Sequence, residues 1–387
     1  MRKAIASIMV LFLLFAAAAP VFAVEKEEDP SNMELKAPSA ILVEAKTGTV
    51  LFSKAPHDKR PIASVTKIMT MLLAMEAIDR GDMSMNDTIT VSEHAKSMGG
   101  STIYLETGEQ MSVHDVLKGI AVMSANDGCV AMGEHIAGSE EAFIKLMNDR
   151  AKELGMNDTH FSTTNGLVDE DNYSSANDVS LMSRELLLKH PKIKEFTTIW
   201  MDSLRGGAFQ LANTNKLVKY YQGATGLKTG FTQKAMYCIS ASAKRGNMEY
   251  ISVILGAPTS KDRFADASKL LNYGFNGFII KDGVKAGEKI ANVALQNGLI
   301  DHVLGISGKE FNMLVKKTDK STLTYEINLK ENLSAPIKKG DKIGDMAFFL
   351  DKKQVGDVEI VADQTVEKQN FFHLYMKIVK YWVNDKI

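Results

Sequence analysis

Apolar residues at positions 62, 65, 68, 69, 72 and 73 are spaced by threes and fours, so the run 62–78 reads as a buried helix. The same period recurs over 113–123, 128–136, 140–154, 179–189 and 262–273, with Gly and Asn/Asp turns between the runs. Strand patterns lie on either side of this helical stretch. Residues 40–44 and 49–53 are joined by a turn at Lys46-Thr47-Gly48, and 237–243 and 250–256 by a turn at Arg245-Gly246-Asn247. Strands from both ends enclosing a helical middle predict one α+β domain over 38–275.

Beyond it the character changes. Over 276–363, short strand-like pieces (303–306, 313–315, 322–329, 357–361) alternate with Gly, Asp and Lys turns such as 338–342, predicting a small all-β domain. Residues 364–387 close the chain, and 370–387 predict an amphipathic helix. Phe371, Phe372, Leu374, Tyr375, Met376, Ile378, Val379, Tyr381, Trp382 and Val383 cover most of it, and His373, Lys377, Lys380 and Asn384 form a narrow polar stripe. Such a helix suits a membrane interface, lysines toward anionic headgroups. Two lysines in mid-segment and about 18 residues argue against a spanning helix. At the other end, Arg2 and Lys3, an apolar run over 8–19 and Val21-Phe22-Ala23 predict a signal peptide over 1–23, followed by a flexible linker over 24–37. The protein is therefore expected outside the cell, peripheral on the outer face of the cytoplasmic membrane.

Composition narrows the chemistry. With 45% hydrophobic and 24% charged residues the 387-residue chain has the profile of a soluble protein. The net charge is −1, or −3 once Arg2 and Lys3 are removed, and gives no case for nucleic acid. Cys129 and Cys238 sit apart in apolar surroundings and read as buried thiols, not as a zinc site or disulfide. The eight histidines show no ligand spacing, so neither metal nor cofactor is expected.

The candidate chemistry begins at the start of the 62–78 helix. Ser64 is the one serine followed three residues later by a lysine, Lys67. On a helix the two side chains rise from one face, about 5–6 Å apart at Cβ. In a first turn, free backbone N–H groups and the helix dipole favour an anion, which together with the amine makes Ser64 a plausible nucleophile. Two further motifs follow in order: Ser124-Ala125-Asn126 after an apolar helix, and Lys228-Thr229-Gly230 before the strand pair at 235–257. Each has a decoy. Lys46-Thr47-Gly48 sits in a hairpin turn ahead of the nucleophile, and Ser175-Ala176-Asn177 stands where N-capping residues belong.

Ser64-x-x-Lys67, Ser124-x-Asn126 and Lys228-Thr229-Gly230, in this order, are the motif set of penicillin-recognising serine enzymes. With Leu154-Gly155-Met156, Asn213-Thr214-Asn215, Gly226-Leu-Lys-Thr-Gly-Phe-Thr232 and Leu270-Leu-Asn-Tyr-Gly-Phe275, the chain resembles the low-molecular-mass penicillin-binding proteins, and within them the D-alanyl-D-alanine carboxypeptidases of serine peptidase family S11. Some members have His before Gly-Leu where this chain has Asn165. The resemblance implies a penicillin-binding/β-lactamase-like transpeptidase fold, an antiparallel five-stranded sheet with helices, then a small β domain and an amphipathic anchor.

It also implies roles. Ser64 attacks the penultimate D-alanine of a peptidoglycan pentapeptide, Lys67 takes its proton, and Ser124 relays the proton to the leaving amine. Asn126 holds the peptide amide, Lys228 and Thr229 the terminal carboxylate, and Gly230 lets the substrate lie along the strand. The Ser64 and Phe231 N–H groups form the oxyanion hole, and Arg263 supports the carboxylate network. β-Lactams would acylate the same serine. Lys67 must be neutral for this, against an ordinary pKa of about 10.4, and both burial and the Lys228 charge are expected to lower it by about three units. A class A β-lactamase would need a Glu-x-x-x-Asn between Asn126 and Lys228, which the chain lacks. An endopeptidase cutting cross-links would use the same residues and stays open. A silent wall-binding or penicillin-sensing module conflicts with the complete set.

Overall fold

A computed structural model describes residues 33–167, 171–373, 375–376 and 379. Its centre is helix α1 (Lys67–Arg80), in which Lys67 to Met75 are all buried. No charge falls between Lys67 and Glu76, and a helix apolar on every face must be surrounded. The surrounding elements are α2 (Val113–Met123), α3 (Asn126–Ala137), α4 (Glu140–Glu153) and α5 (Ala176–Lys189). Ser112, Ser139 and Ser175 cap three of them, each accepting the N–H three residues on. The Ser175 decoy is thus an N-cap, as its context implied.

A five-stranded antiparallel sheet packs against this layer. Its strands are β1 (Ser39–Glu44), β2 (Val50–Lys54), β3 (Ala224–Thr232), β4 (Met236–Arg245) and β5 (Met248–Ala257), in the order β2-β1-β5-β4-β3. The central β5 is buried almost throughout, which explains its apolar run from Tyr250 to Leu255, broken only by Ser252. Helix α6 (Ser260–Gly277) covers the sheet, capped by Thr259. The Lys46-Thr47-Gly48 decoy is the β1–β2 turn, where the Glu44 carboxylate accepts from the Thr47 N–H at 2.6 Å and the Thr47 hydroxyl at 2.7 Å.

Three expectations change. Lys228-Thr229-Gly230 does not precede the strand pair but lies within an edge strand of its own, β3, whose glycines and lysine hide the alternation. A hairpin of Met201–Leu204 and Phe209–Ala212, not foreseen, runs between the helices and β3. Residues 34–37, read as the end of a linker, are docked: the Ala37 N–H donates to Asp266 at 2.8 Å, and the Lys54 ammonium donates to the carbonyls of Leu35 and Ala37.

From Phe278 the chain forms the β domain with its own core around Val303, Phe348, Val358 and Ile360. Strands β6 (Phe278–Val284) and β9 (Phe311–Lys316) pair with each other. The others are β7 (Lys289–Ala294), β8 (His302–Ser307), β10 (Leu323–Leu329), β11 (Lys342–Leu350) and β12 (Lys353–Ala362), in one sheet of order β7-β8-β12-β11-β10. The spacing pointed to β8, β9, β10 and β12, while β6, β7 and β11 went unread. The predicted signal peptide lies outside the described residues, as does the linker up to residue 32. Of the predicted anchor, Phe371, Phe372, Tyr375 and Met376 are exposed; Leu374, Lys377, Ile378 and residues 380–387 lie outside the described residues. No described helix is long and apolar enough to cross a membrane.

Candidate active site

Ser64 lies in a short 3-10 turn, Ala63–Thr66, that feeds α1, and not in the first α-helical turn. The Val65 N–H donates to the Ile62 carbonyl at 3.1 Å, and the Lys67 N–H donates to the Ser64 carbonyl. Ala63 is held at φ 47, a left-handed conformation that costs an L-residue roughly 1 kcal/mol or more. What holds it there is packing from behind. Gly166, itself at φ 76, comes so close that a Cβ would stand 2.0 Å from the Ala63 carbonyl oxygen. Asn172 and Thr164 tie the same layer to α1, through Thr66 Oγ1 at 2.9 Å and the Thr70 hydroxyl at 2.5 Å.

Lys67 is wholly buried, and its ammonium donates to Ser64 Oγ at 2.8 Å and to the Asn165 carbonyl at 2.7 Å. Burial drops its pKa from 10.5 to about 8. Cys129 and Asp127 pull the other way, but burial holds the Cys129 thiol at about 12, uncharged at neutral pH. At pH 7 about one Lys67 in eleven is then neutral, against one in roughly 3,000 for an ordinary lysine. The expected push from Lys228 falls instead on Lys228: burial first, then the Lys67 charge, bring its pKa well down.

Asn165 acts through its carbonyl, which every residue has, so its side chain could not announce the contact. Its own Oδ1 accepts the Leu167 N–H at 2.8 Å and shapes the turn.

The second motif is a break between two helices. Ser124 ends α2 at φ 65, and Asn126 begins α3 two residues later, so both face the gap where the helices part. The loop at 99–105 is bound here. Asn126 donates through Nδ2 to the Gly99 carbonyl and through its N–H to the Ser101 carbonyl, both at 2.7 Å. The buried Asp127 carboxylate accepts the N–H groups of Ile103 and Leu105. Asn126 Oδ1 is left buried with no partner among the described residues, an acceptor waiting for a donor.

The third motif brings β3 against the nucleophile. A Cβ on Gly230 would stand 2.6 Å from the Ile62 carbonyl oxygen and 3.0 Å from the Ser64 nitrogen. Its glycine is therefore needed for the approach of strand to turn, a reason distinct from the one sequence suggested. Lys228 is buried and donates to the Thr229 carbonyl at 2.9 Å; the Thr229 hydroxyl donates to Thr214 Oγ1 at 2.7 Å. Phe231 is half exposed and stacks on Tyr237. Arg263 comes from α6 and donates from one nitrogen to the carbonyls of Gly230, 3.0 Å, and Cys238, 3.2 Å. It thereby grips the backbone of β3 and of its neighbour β4. Burial lowers its pKa to about 10, still a cation at neutral pH. No group of three or more His, Cys, Asp or Glu that could hold a metal ion occurs among the described residues.

A serine bonded to a buried amine thus lies under an edge strand bearing a second lysine. Residues 24–259 match the family described as D-alanyl-D-alanine carboxypeptidase. The chain belongs to this family. Residues 281–368 match the C-terminal domain of penicillin-binding protein 5. The D-alanyl-D-alanine carboxypeptidase DacF of Bacillus subtilis is 40% identical over 390 residues, covering all of both chains. DacA of Escherichia coli K12 is 33% identical over 366 residues, 91% of this chain and 89% of that one. Among solved structures, penicillin-binding protein 5 of Haemophilus influenzae superposes with a TM-score of 0.75 at 29% identity, covering 87% of this chain and 99% of that one. Penicillin-binding protein D2 of Listeria monocytogenes in its ampicillin-bound form gives 0.58 at 34% identity, over 63% of this chain and 99% of that one. The fold is that of penicillin-binding protein 5, a mixed helix-and-sheet domain followed by an all-β domain.

Proposed function

We propose that the protein is a serine-type carboxypeptidase that removes the terminal D-alanine from peptidoglycan pentapeptide stems through an acyl-enzyme on Ser64. The observation that carries this is the 2.8 Å contact between Ser64 Oγ and a fully buried Lys67 amine whose pKa is near 8. When neutral, Lys67 turns that contact round: the serine O–H donates to the amine lone pair, and the oxygen attacks the carbonyl. Ser124 passes the proton to the leaving D-alanine nitrogen. The unpartnered Asn126 Oδ1 suits an N–H of the substrate backbone, and the free edge of β3 suits an extended peptide. Lys228 and Thr229 bind the terminal carboxylate, whose charge restores the proton that burial tends to remove from Lys228. The N–H groups of Ser64 and Phe231 stabilise the oxyanion. Water then releases the shortened stem. β-Lactams acylate the same serine, as the ampicillin-bound relative suggests.

Residues 38–275 form the catalytic unit, 276–363 the spacer and 364–387 the anchor, after removal of 1–23 and a short linker. The exposed Phe371, Phe372, Tyr375 and Met376 support peripheral attachment to the outer face of the cytoplasmic membrane. The test is release of D-alanine from a pentapeptide, compared with cleavage of a cross-linked dimer. The wild type should release D-alanine and Ser64→Ala should not. Equal release by the Ser64→Ala protein, or cleavage of the dimer alone, would overturn the proposal.

A further inference from the structure

Between the helices and β3 runs Asn213-Thr214-Asn215, a tripeptide to which the proposed mechanism gives no task. Both asparagines are buried. Asn213 donates to the Ile199 carbonyl at 2.7 Å while its Oδ1 accepts the Asn215 N–H at 2.8 Å. Asn215 in turn donates to the Gly226 carbonyl at 3.0 Å, and its Oδ1 accepts the Leu217 N–H at 3.1 Å. The Thr214 N–H donates to the Val122 carbonyl at 3.3 Å, two residues before Ser124. The tripeptide is thus locked to β3 on one side and to the end of α2 on the other. Between its two buried amides it presents one side chain, half-buried Thr214, whose hydroxyl meets Thr229 at 2.7 Å.

The direction of that bond matters. Here the Thr229 hydroxyl donates its single proton to Thr214. A carboxylate accepts only, so Thr229 can bind one only by turning its proton away from Thr214. The pair of oxygens then stays bonded if Thr214 donates in return. The result is a chain from Thr214 to Thr229 to the carboxylate, reached by rotating the two O–H bonds together with a small turn of the Thr214 side chain, and each bond polarises the next.

We propose that Thr214 is a positioning residue for recognition of the terminal carboxylate: its hydroxyl backs Thr229 as a donor and so sharpens the preference for a free C-terminal acid. This rests on the carboxypeptidase reading above. The acid belongs to the departing D-alanine, so Thr214 acts before and during acylation and has no part in hydrolysis of the acyl-enzyme.

The experiment compares wild type, Thr214→Val and Thr214→Ser on two peptides, one ending in D-Ala-D-Ala and the other in its C-terminal amide. Thr214→Val should lower kcat/KM for the acid by about tenfold, mostly through KM, and for the amide by no more than about threefold, since a neutral acceptor gains less from a strengthened donor. Thr214→Ser should keep the wild-type ratio, and deacylation should run at the wild-type rate in all three. Equal losses on acid and amide in Thr214→Val would make the residue merely structural, and no loss on either would remove it from recognition; both overturn the proposal. If the wild type cleaves neither peptide, the carboxypeptidase reading itself fails and takes this one with it.

Discussion

Acylation of Ser64 should stop gaining from alkali near pH 8, two and a half units below the titration of a free lysine. Below its pKa, Lys67 offers a neutral fraction that rises tenfold per pH unit. With the pKa at about 8, that fraction climbs from about one in a hundred at pH 6 to one half at pH 8, then gains only about twofold more. An unshifted lysine would gain roughly seventy-fold between pH 8 and 10, so the upper window decides. The assay is stopped-flow acylation at saturating β-lactam, where the rate constant reports the complex and not the free enzyme. In the complex Lys228 regains its charge from the bound carboxylate and repels the proton on Lys67, so the bend should sit at about 8 or lower. In Lys228→Gln that repulsion is gone, and the residual rate should bend higher than in the wild type. A rate still climbing tenfold per unit between pH 8.5 and 9.5, or one flat from pH 5.5 to 8, would refute Lys67 as the base.

Other consequences follow from the same geometry. Lys67→Met should stabilise the fold: a folded pKa of about 8 against 10.5 unfolded amounts to roughly 3 kcal/mol of destabilisation at pH 7, less about 1 kcal/mol for the carbonyl of Asn165 left unbonded. Between pH 8 and 10.5 the unfolded chain binds more protons, so wild-type stability rises with pH there and the advantage of the variant should shrink; urea unfolding at pH 7 and 10 checks it. Gly166→Ala should lose roughly 2–4 kcal/mol of stability, from a methyl 2.0 Å from the Ala63 carbonyl oxygen and a left-handed backbone, read by thermal unfolding. Gly230→Ala should leave most of the stability but cut acylation at least a hundredfold by forcing β3 off the Ser64 turn; acylation within threefold of wild type would contradict the close approach. Truncation after Gln369 should keep D-alanine release and lose binding to anionic lipid vesicles in a sedimentation assay.

Much of this site was legible because its side chains carry chemistry at fixed order. Ser64 and Lys67 are bonded to each other and β3 comes against the Ser64 turn, and the two decoys turned out to be a hairpin turn and an N-cap where local context had placed them. What stayed hidden works through backbone or space. Asn165 contributes a carbonyl, Gly166 the absence of a Cβ, and Gly230, though singled out from the motif, proves to matter for the approach of β3 to the Ser64 turn. The fold shows the same division. Helices with a clean 3.6-residue period, such as 113–123 and 140–153, were found to within a residue of their ends, whereas β3, with glycines at 226 and 230, and three strands of the β domain lacked the alternation that marks a strand. The 3-10 turn at Ser64 also escaped, because a period cannot separate it from the helix it leads into.

The central claim, a single serine made reactive by a buried amine, is tested most directly by mapping the adduct after benzylpenicillin treatment. Peptide mass spectrometry should place one penicilloyl group per chain on the peptide holding Ser64, and none in Ser64→Ala or, at pH 7 on the same time scale, in Lys67→Met. An adduct on any other serine, or full labelling of the Lys67→Met protein, would contradict the account.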